Sequence, residues 1–257
     1  MRRQRIIILF TILLGFFSVI YSRSVSSQES SVWMHKGDAL WEERGEVRKV
    51  EEAISAYKKV LEADPENYEA NWKIARAYFL LGDMLDEIKE NRKRHKEVGE
   101  KGMQFGERAF TLHPEGVEGH YYYGLCLAKY TLGITFITAL TGGVASKYEE
   151  HMEEALELNK DYDSAGPLRA LGRYWHKIPW PKRDLEKSIT YLKESVARAP
   201  MNIRGRFYLA EAYLKAKKKD LAKEQLEIAS SSPVDLREEI SAQRWQEKAV
   251  ALLKENF

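Results

Sequence analysis

What most constrains this 257-residue chain is a small-and-aromatic pairing that recurs along it, with proline close behind. The stretch Ala53-x3-Tyr57-x2-Val60-x4-Pro65 leads to Tyr68 and to Ile74-Ala75-x2-Tyr78-x3-Gly82. Near the C-terminus, Leu209-Ala210-x2-Tyr213 is followed by Ala222, Leu226, Ala229 and Pro233. Between them, Tyr123-Gly124-x2-Leu127 pairs with Ala155, and Leu171-Gly172-x2-Trp175 pairs with Leu192 and Pro200. A looser first copy opens at Trp33 and reaches its second helix at Val50 to Ala63. Small residues at Ala75, Gly124, Gly172 and Ala210 let neighbouring helices approach closely. Tyr57, Tyr78, Trp175 and Tyr213 fill the space between pairs. Proline cannot donate to a continuing helical ladder and so stops the second helix. No single pair buries its apolar face alone, so the copies must stack into one core. Ile240, Trp245, Ala249 and Leu252, at helical spacing between Leu236 and Phe257, predict a terminal capping helix.

This spacing resembles the tetratricopeptide repeat, a pair of antiparallel helices. The expected fold is therefore all-α, a helical-hairpin solenoid over residues 28–257 with two expanded hairpins and a C-terminal cap. Plentiful Ala, Leu, Glu and Lys with only seven prolines agree with helix. Two copies run about 15 and about 12 residues beyond the roughly 34-residue period. The first insertion, Leu85 to Gly102, is mostly charged and reads as an extended helical hairpin. The second, residues 130–146, is apolar from Tyr130 and includes Ile134, Phe136, Ile137 and Leu140 before Gly142-Gly143. Both insertions fall at one edge of the stack and should lean on one another. The apolar segment then either packs on its neighbour or forms an interface with a partner, a second copy or a lipid.

Residues 1–27 read as a signal peptide or as an N-terminal membrane anchor. Arg2, Arg3 and Arg5 precede an uncharged run from Ile6 to Ser22, and Ser24-Val25-Ser26 offers small residues for cleavage. The run is slightly short for a membrane span of about 20 residues. Either outcome predicts an exported, periplasmic or otherwise extracytoplasmic protein. The full chain has 41 Lys+Arg against 39 Asp+Glu, and four of those arginines lie in residues 1–27. This balance gives no support to a binder driven by phosphate neutralisation, and no nucleic-acid partner is expected. One cysteine forms neither an internal disulfide nor a thiolate metal cluster.

A narrower resemblance spans about Gly99 to Pro200. It rests on Gly119-His120-Tyr121-Tyr122-Tyr123-Gly124, on Gly166-Pro167-Leu168-Arg169-Ala170-Leu171-Gly172-Arg173-Tyr174 and on Pro179-Trp180-Pro181. These stretches look like the T component of tripartite periplasmic (TRAP) organic-acid transporters and like the regulator of microtubule dynamics family. The first resemblance implies an envelope protein working beside a solute-binding protein. The second implies membrane association. Many T components carry a lipidation cysteine after the signal; this chain has none there.

What repeats of this type bind, they hold on the face lined by the first helix of each pair. Carried onto this chain, that face takes Trp72 and Arg76 from the second copy and Tyr121 from the third. Arg169 and Arg173 come from the fourth copy, and Phe207 and Glu211 from the fifth. Arg169 and Arg173 are four apart and so share a helical face. Paired guanidiniums suit bidentate recognition of a carboxylate or phosphate, or else each pairs with an acid of the adjacent copy. The aromatics supply flat apolar area at low entropic cost. The expected ligand has an anionic end and an apolar body, as a peptide C-terminus or an organic acid does.

No catalytic residue, cofactor or metal site is expected. His151-Met152-Glu153-Glu154 lacks the second histidine of a zinc motif and reads as solvated helix surface, as do the cluster Arg92-Lys93-Arg94-His95-Lys96 and the run Lys217-Lys218-Lys219. His120 reads as a packed histidine, and Cys126 as a small core residue.

Overall fold

The computed structural model describes residues 28–235 and 240–257. The signal or anchor expected of residues 1–27 lies outside the described residues. Within them, no helix is long and apolar enough to cross a membrane.

Five antiparallel helix pairs follow one another. They are α1 (28–42) with α2 (Val47–Ala63), α3 (Tyr68–Asp83) with α4 (Arg92–Leu112), and α5 (Val117–Gly133) with α7 (Val144–Leu158). Next come α8 (Tyr162–Lys177) with α9 (Leu185–Arg198), and α10 (Ile203–Lys215) with α11 (Lys219–Ser231). A short α6 (Phe136–Thr141) interrupts the third pair, and α12 (Ala242–Asn256) caps the stack. There is no strand among the described residues.

The turns show why the pairs end where they do. Pro65 and Pro200 each stand two residues before an asparagine that caps the next helix. The Asn67 side chain accepts from Ala70 N at 2.9 Å, and that of Asn202 accepts from Gly205 N at 2.8 Å. Each cap satisfies a helix-terminal N–H that has no partner within the helix. The residues carrying the repeat are core: Tyr57, Ala75 and Ala210 are fully buried, and Tyr78 and Tyr213 nearly so. The capping helix closes the last pair by packing Trp245 and Ala249 on Ile203, Phe207 and Leu226.

The charged insertion does not form a hairpin. Residues 84–91 make a link containing one 3-10 turn (Lys89–Asn91), and the rest lengthens α4 to 21 residues. The reason is a row of glycines on α4. A Cβ at Gly99 would stand 2.5 Å from Tyr130 N, and one at Gly106 would stand 2.9 Å from Tyr123 Cα. Without side chains at these positions α4 lies against the backbone of α5 along its length. The two insertions do meet: the Arg92 guanidinium donates to Ile134 O at 2.8 Å, tying the start of α4 to the end of α5. The cluster at residues 92–96 is correspondingly mixed, not uniformly solvated. His95 is buried, with Nε2 3.2 Å from Asp86 O, whereas Lys93 is exposed.

Candidate ligand-binding face

Helices α3, α5, α8 and α10 are the first helices of successive pairs and, with the capping helix α12, form one wall. On α3, Arg76 lies between two indoles, its guanidinium carbon 3.9 Å from the Trp41 ring centroid and 4.9 Å from that of Trp72. Trp72 in turn stacks on Tyr122 at 6.1 Å. Arg76 forms no ion pair with any carboxylate among the described residues, and its Nε is buried without a hydrogen-bond partner. Burial of a guanidinium between aromatic faces strengthens the attraction for an anion, because little water is left to screen it.

Tyr121, Arg169 and Phe207 sit inside the wall instead of on its surface, at 1%, 8% and 7% exposure. The cause is local. Asp163, Ser164 and Ala165 open α8 with φ of 50°, 55° and 58°, a left-handed turn that costs non-glycine residues energy. Arg169 holds it: Nη1 donates to Ser164 O at 2.9 Å and to Asp163 O at 3.3 Å, and Nη2 to Asp163 Oδ2 at 3.2 Å. Tyr121 Oη donates to the same carboxylate at 2.6 Å, and Ser195 Oγ to Ala165 O at 3.2 Å. Gly166 leaves room for the Tyr121 phenol, and Pro167 begins the right-handed helix where its missing N–H costs nothing. The segment from Gly166 to Arg169 thus serves as a clamp. Arg169 and Arg173, four apart, do not form a joint cradle: Arg169 turns into the wall, and Arg173 meets Glu211 of the next pair and stacks on Tyr208 at 4.1 Å. Phe207 packs on Trp245 at 5.4 Å and joins α10 to the cap. Trp72, Arg76, Arg173 and Glu211 remain partly exposed on the wall.

A cluster that the sequence reading missed lies at the end of α3. Asp83, 3% exposed, receives Lys129 Nζ at 2.9 Å, Arg204 Nη2 at 2.6 Å and Ser241 Oγ at 2.9 Å. Arg244 donates to its carbonyl at 2.6 Å. Burial acts to raise the carboxyl, but the three cations outweigh it and hold Asp83 well below the usual carboxylate range. Its partners lie between 46 and 161 residues away. No local pattern in the sequence signals such a contact.

His151 is not solvated surface. Its Nδ1 lies 3.0 Å from His120 Nδ1, and Phe110 stacks near both rings. His120 Nε2 must donate to Pro114 O at 3.0 Å, so its Nδ1 accepts and His151 donates. Burial, then the His120 neighbour, lowers His151 to about 4. Burial, then Arg173, lowers His176 to about 4 as well. Both groups take up protons more readily unfolded, near pH 6.5, than folded. Stability is therefore fully present above pH 6.5 and falls as pH drops from 6.5 to 4. A thermal melt series over that range should show a loss of about 1–2 kcal/mol in total, after allowance for solvent screening. His151→Gln should remove about half of it and leave the part that belongs to His176. Cys126 is fully buried, its Sγ donating to Ala75 O at 3.3 Å, and burial raises its thiol. The described residues contain no cluster of three or more metal-ligating side chains.

Stacked antiparallel helix pairs with a lined inner wall define a tetratricopeptide-type solenoid. Within that class, residues 33–178 match the family model for regulator of microtubule dynamics protein 1-3, and the chain belongs to that family. Solved structures agree on the fold. A thermophilic tetratricopeptide-repeat protein of Thermus thermophilus is 15% identical with a TM-score of 0.61, over 86% of this chain and 99% of that one. PilF of Pseudomonas aeruginosa is 11% identical with a TM-score of 0.57, over 89% and 90%. The type IV pilus biogenesis factor PilW is 16% identical with a TM-score of 0.55, over 91% and 94%. No curated protein matches the chain.

Proposed function

We propose that this chain is a non-catalytic adaptor that holds a protein or peptide partner against its inner wall, with an anionic group of the partner on Arg76. One observation carries the reading: a guanidinium held between Trp41 and Trp72 with no carboxylate to neutralise it. A partner's carboxylate completes that site, and the indoles pack on the apolar part of the same ligand. The resemblance to transporter T components names one version of the partner, a solute-binding protein met outside the cytoplasm, with residues 6–22 as export signal or anchor. The alternative is an assembly scaffold at a membrane or in the envelope. In favour of that version, Ile137 on α6 is 71% exposed and offers an apolar contact to a partner or a second copy.

Copurification of the full chain from native membranes, followed by mass spectrometry, would identify what it holds. Arg76→Ala should weaken the recovered complex by about thirtyfold or more, from the roughly 2–5 kcal/mol lost when one member of a buried charge pair is removed. Unchanged affinity in Arg76→Ala, with an unchanged melting temperature, would end the proposal. Recovery of a solute-binding protein would favour the transporter version, and recovery of structural envelope proteins the scaffold.

A further inference from the structure

Three neighbouring helices of the inner wall carry charged residues four apart, so that each pair lies on one helical face. They are Arg173 and Lys177 on α8, Glu211 and Lys215 on α10, and Arg244 and Lys248 on α12. These faces are within reach of one another. Arg173 is paired with Glu211, Lys177 Nζ lies 3.8 Å from Glu211 Oε1, and Lys248 is within the field of Arg173, Arg244, Glu211 and Glu87. Among the described residues, Arg173, Lys177, Lys215 and Lys248 thus share two carboxylates, Glu211 and Glu87. Asp83, the third acid nearby, binds Lys129, Arg204 and Arg244, so Arg244 joins the other four already partly neutralised. The floor between the charges is aromatic: Arg173 lies 4.1 Å from the Tyr208 centroid and Lys248 Nζ 4.4 Å from that of Trp245.

We propose that Arg173, Lys177, Lys215, Arg244 and Lys248 form a second site on the inner wall, which takes an acidic peptide segment with carboxylates two or three residues apart. It rests on the reading that the inner wall is the binding face. Extended chain places such carboxylates about 7–10 Å apart, close to the 8–10 Å between axes of packed helices. Successive acids can therefore meet successive helices while the residues between them lie on Tyr208, which is partly exposed, with Trp245 buried beneath. A single phosphate would need donors converging on one point, whereas these are strung across three elements. The crowding has a visible cost. Burial, and then Arg173, lowers Lys177, while burial, and then Arg244, lowers Lys248 below the usual lysine range. An acidic ligand would relieve it. Helices α10 and α12 lie beyond the segment that matches the family.

The test is fluorescence anisotropy of a labelled peptide with a glutamate at every third residue and alanine or leucine between, titrated with the full chain. Lys177→Glu, Lys215→Glu and Lys248→Glu combined alter exposed side chains and leave the fold intact, as a melting curve would verify. Binding should weaken at least tenfold in that variant and with rising salt, and should vanish for the peptide with amidated side chains. Charge reversal at Lys217, in the turn before α11, and at Lys219, its first residue, should leave it unchanged. The proposal is overturned by equal binding of the triple variant or of the amidated peptide. It is equally overturned if inorganic phosphate or phosphatidylserine vesicles displace the peptide stoichiometrically at lower concentration. Arg76→Ala separates the two readings: loss of the native partner in Arg76→Ala but not in the triple variant keeps the adaptor reading and removes this site, and the converse keeps this site alone.

Discussion

Asp83→Ala is expected to destabilise the protein by roughly 3–5 kcal/mol, the usual cost of removing one member of a buried charge cluster. The size follows from what is left behind. Lys129, Arg204 and Arg244 would face one another with their shared carboxylate gone, and Ser241 Oγ would lose its acceptor. At about 2–4 °C per kcal/mol for a chain of this size, the melting temperature should drop by about 10 °C. Asp83→Asn, which keeps the shape and loses the charge, should recover only a minor part. The pH dependence has a definite sign. Since the folded carboxyl lies well below its ordinary range, its contribution is present above about pH 4 and is lost only as pH falls through the lower folded value. Acid unfolding between pH 6.5 and 4 therefore belongs to the histidines. A melting temperature within 2 °C or so of the parent for Asp83→Ala would show that the cluster is ornamental to stability.

Arg169→Ala should be of similar size, about 3–5 kcal/mol, because its buried guanidinium is the main support of the left-handed turn at Asp163–Ala165. Arg169→Lys should rescue little, since one ammonium cannot reach two carbonyls and a carboxylate as a planar fork does. Tyr121→Phe removes one hydrogen bond to Asp163 and should cost about 1–3 kcal/mol. Chemical denaturation measures the energies, and amide exchange at residues 163–166 locates the effect. A loss of partner binding in Arg169→Ala without loss of stability would restore this residue to the ligand surface.

The fold was legible because each helix pair repeats its own instructions. Ala75 and Ala210, Tyr57 and Tyr213, Pro65 and Pro200 mark the same places in different copies, and periodicity finds them. The site was only partly legible. Position on a first helix marks Trp72, Arg76, Arg173 and Glu211, which are partly exposed, but it does not tell a side chain that reaches the surface from one drawn inward. Arg169 and Tyr121 are drawn inward by a backbone turn at Asp163 that residues without glycine rarely adopt, so its sequence gives no warning. The lengthened α4 could have been foreseen from Gly99, Gly102 and Gly106, which share one helical face. His151 looked solvated because a single-helix pattern ignores the ring of His120 across the gap.

Open helical arrays behave as springs, in which each coil feels only its neighbours and the ends loosen first. Asp83 puts a spoke across this spring. By joining the end of α3 to the beginnings of α10 and α12 it makes the second coil and the last one answer to each other. The array then loses its independence of parts: between α3 and α12 no coil can shift without pulling on the far end of that span.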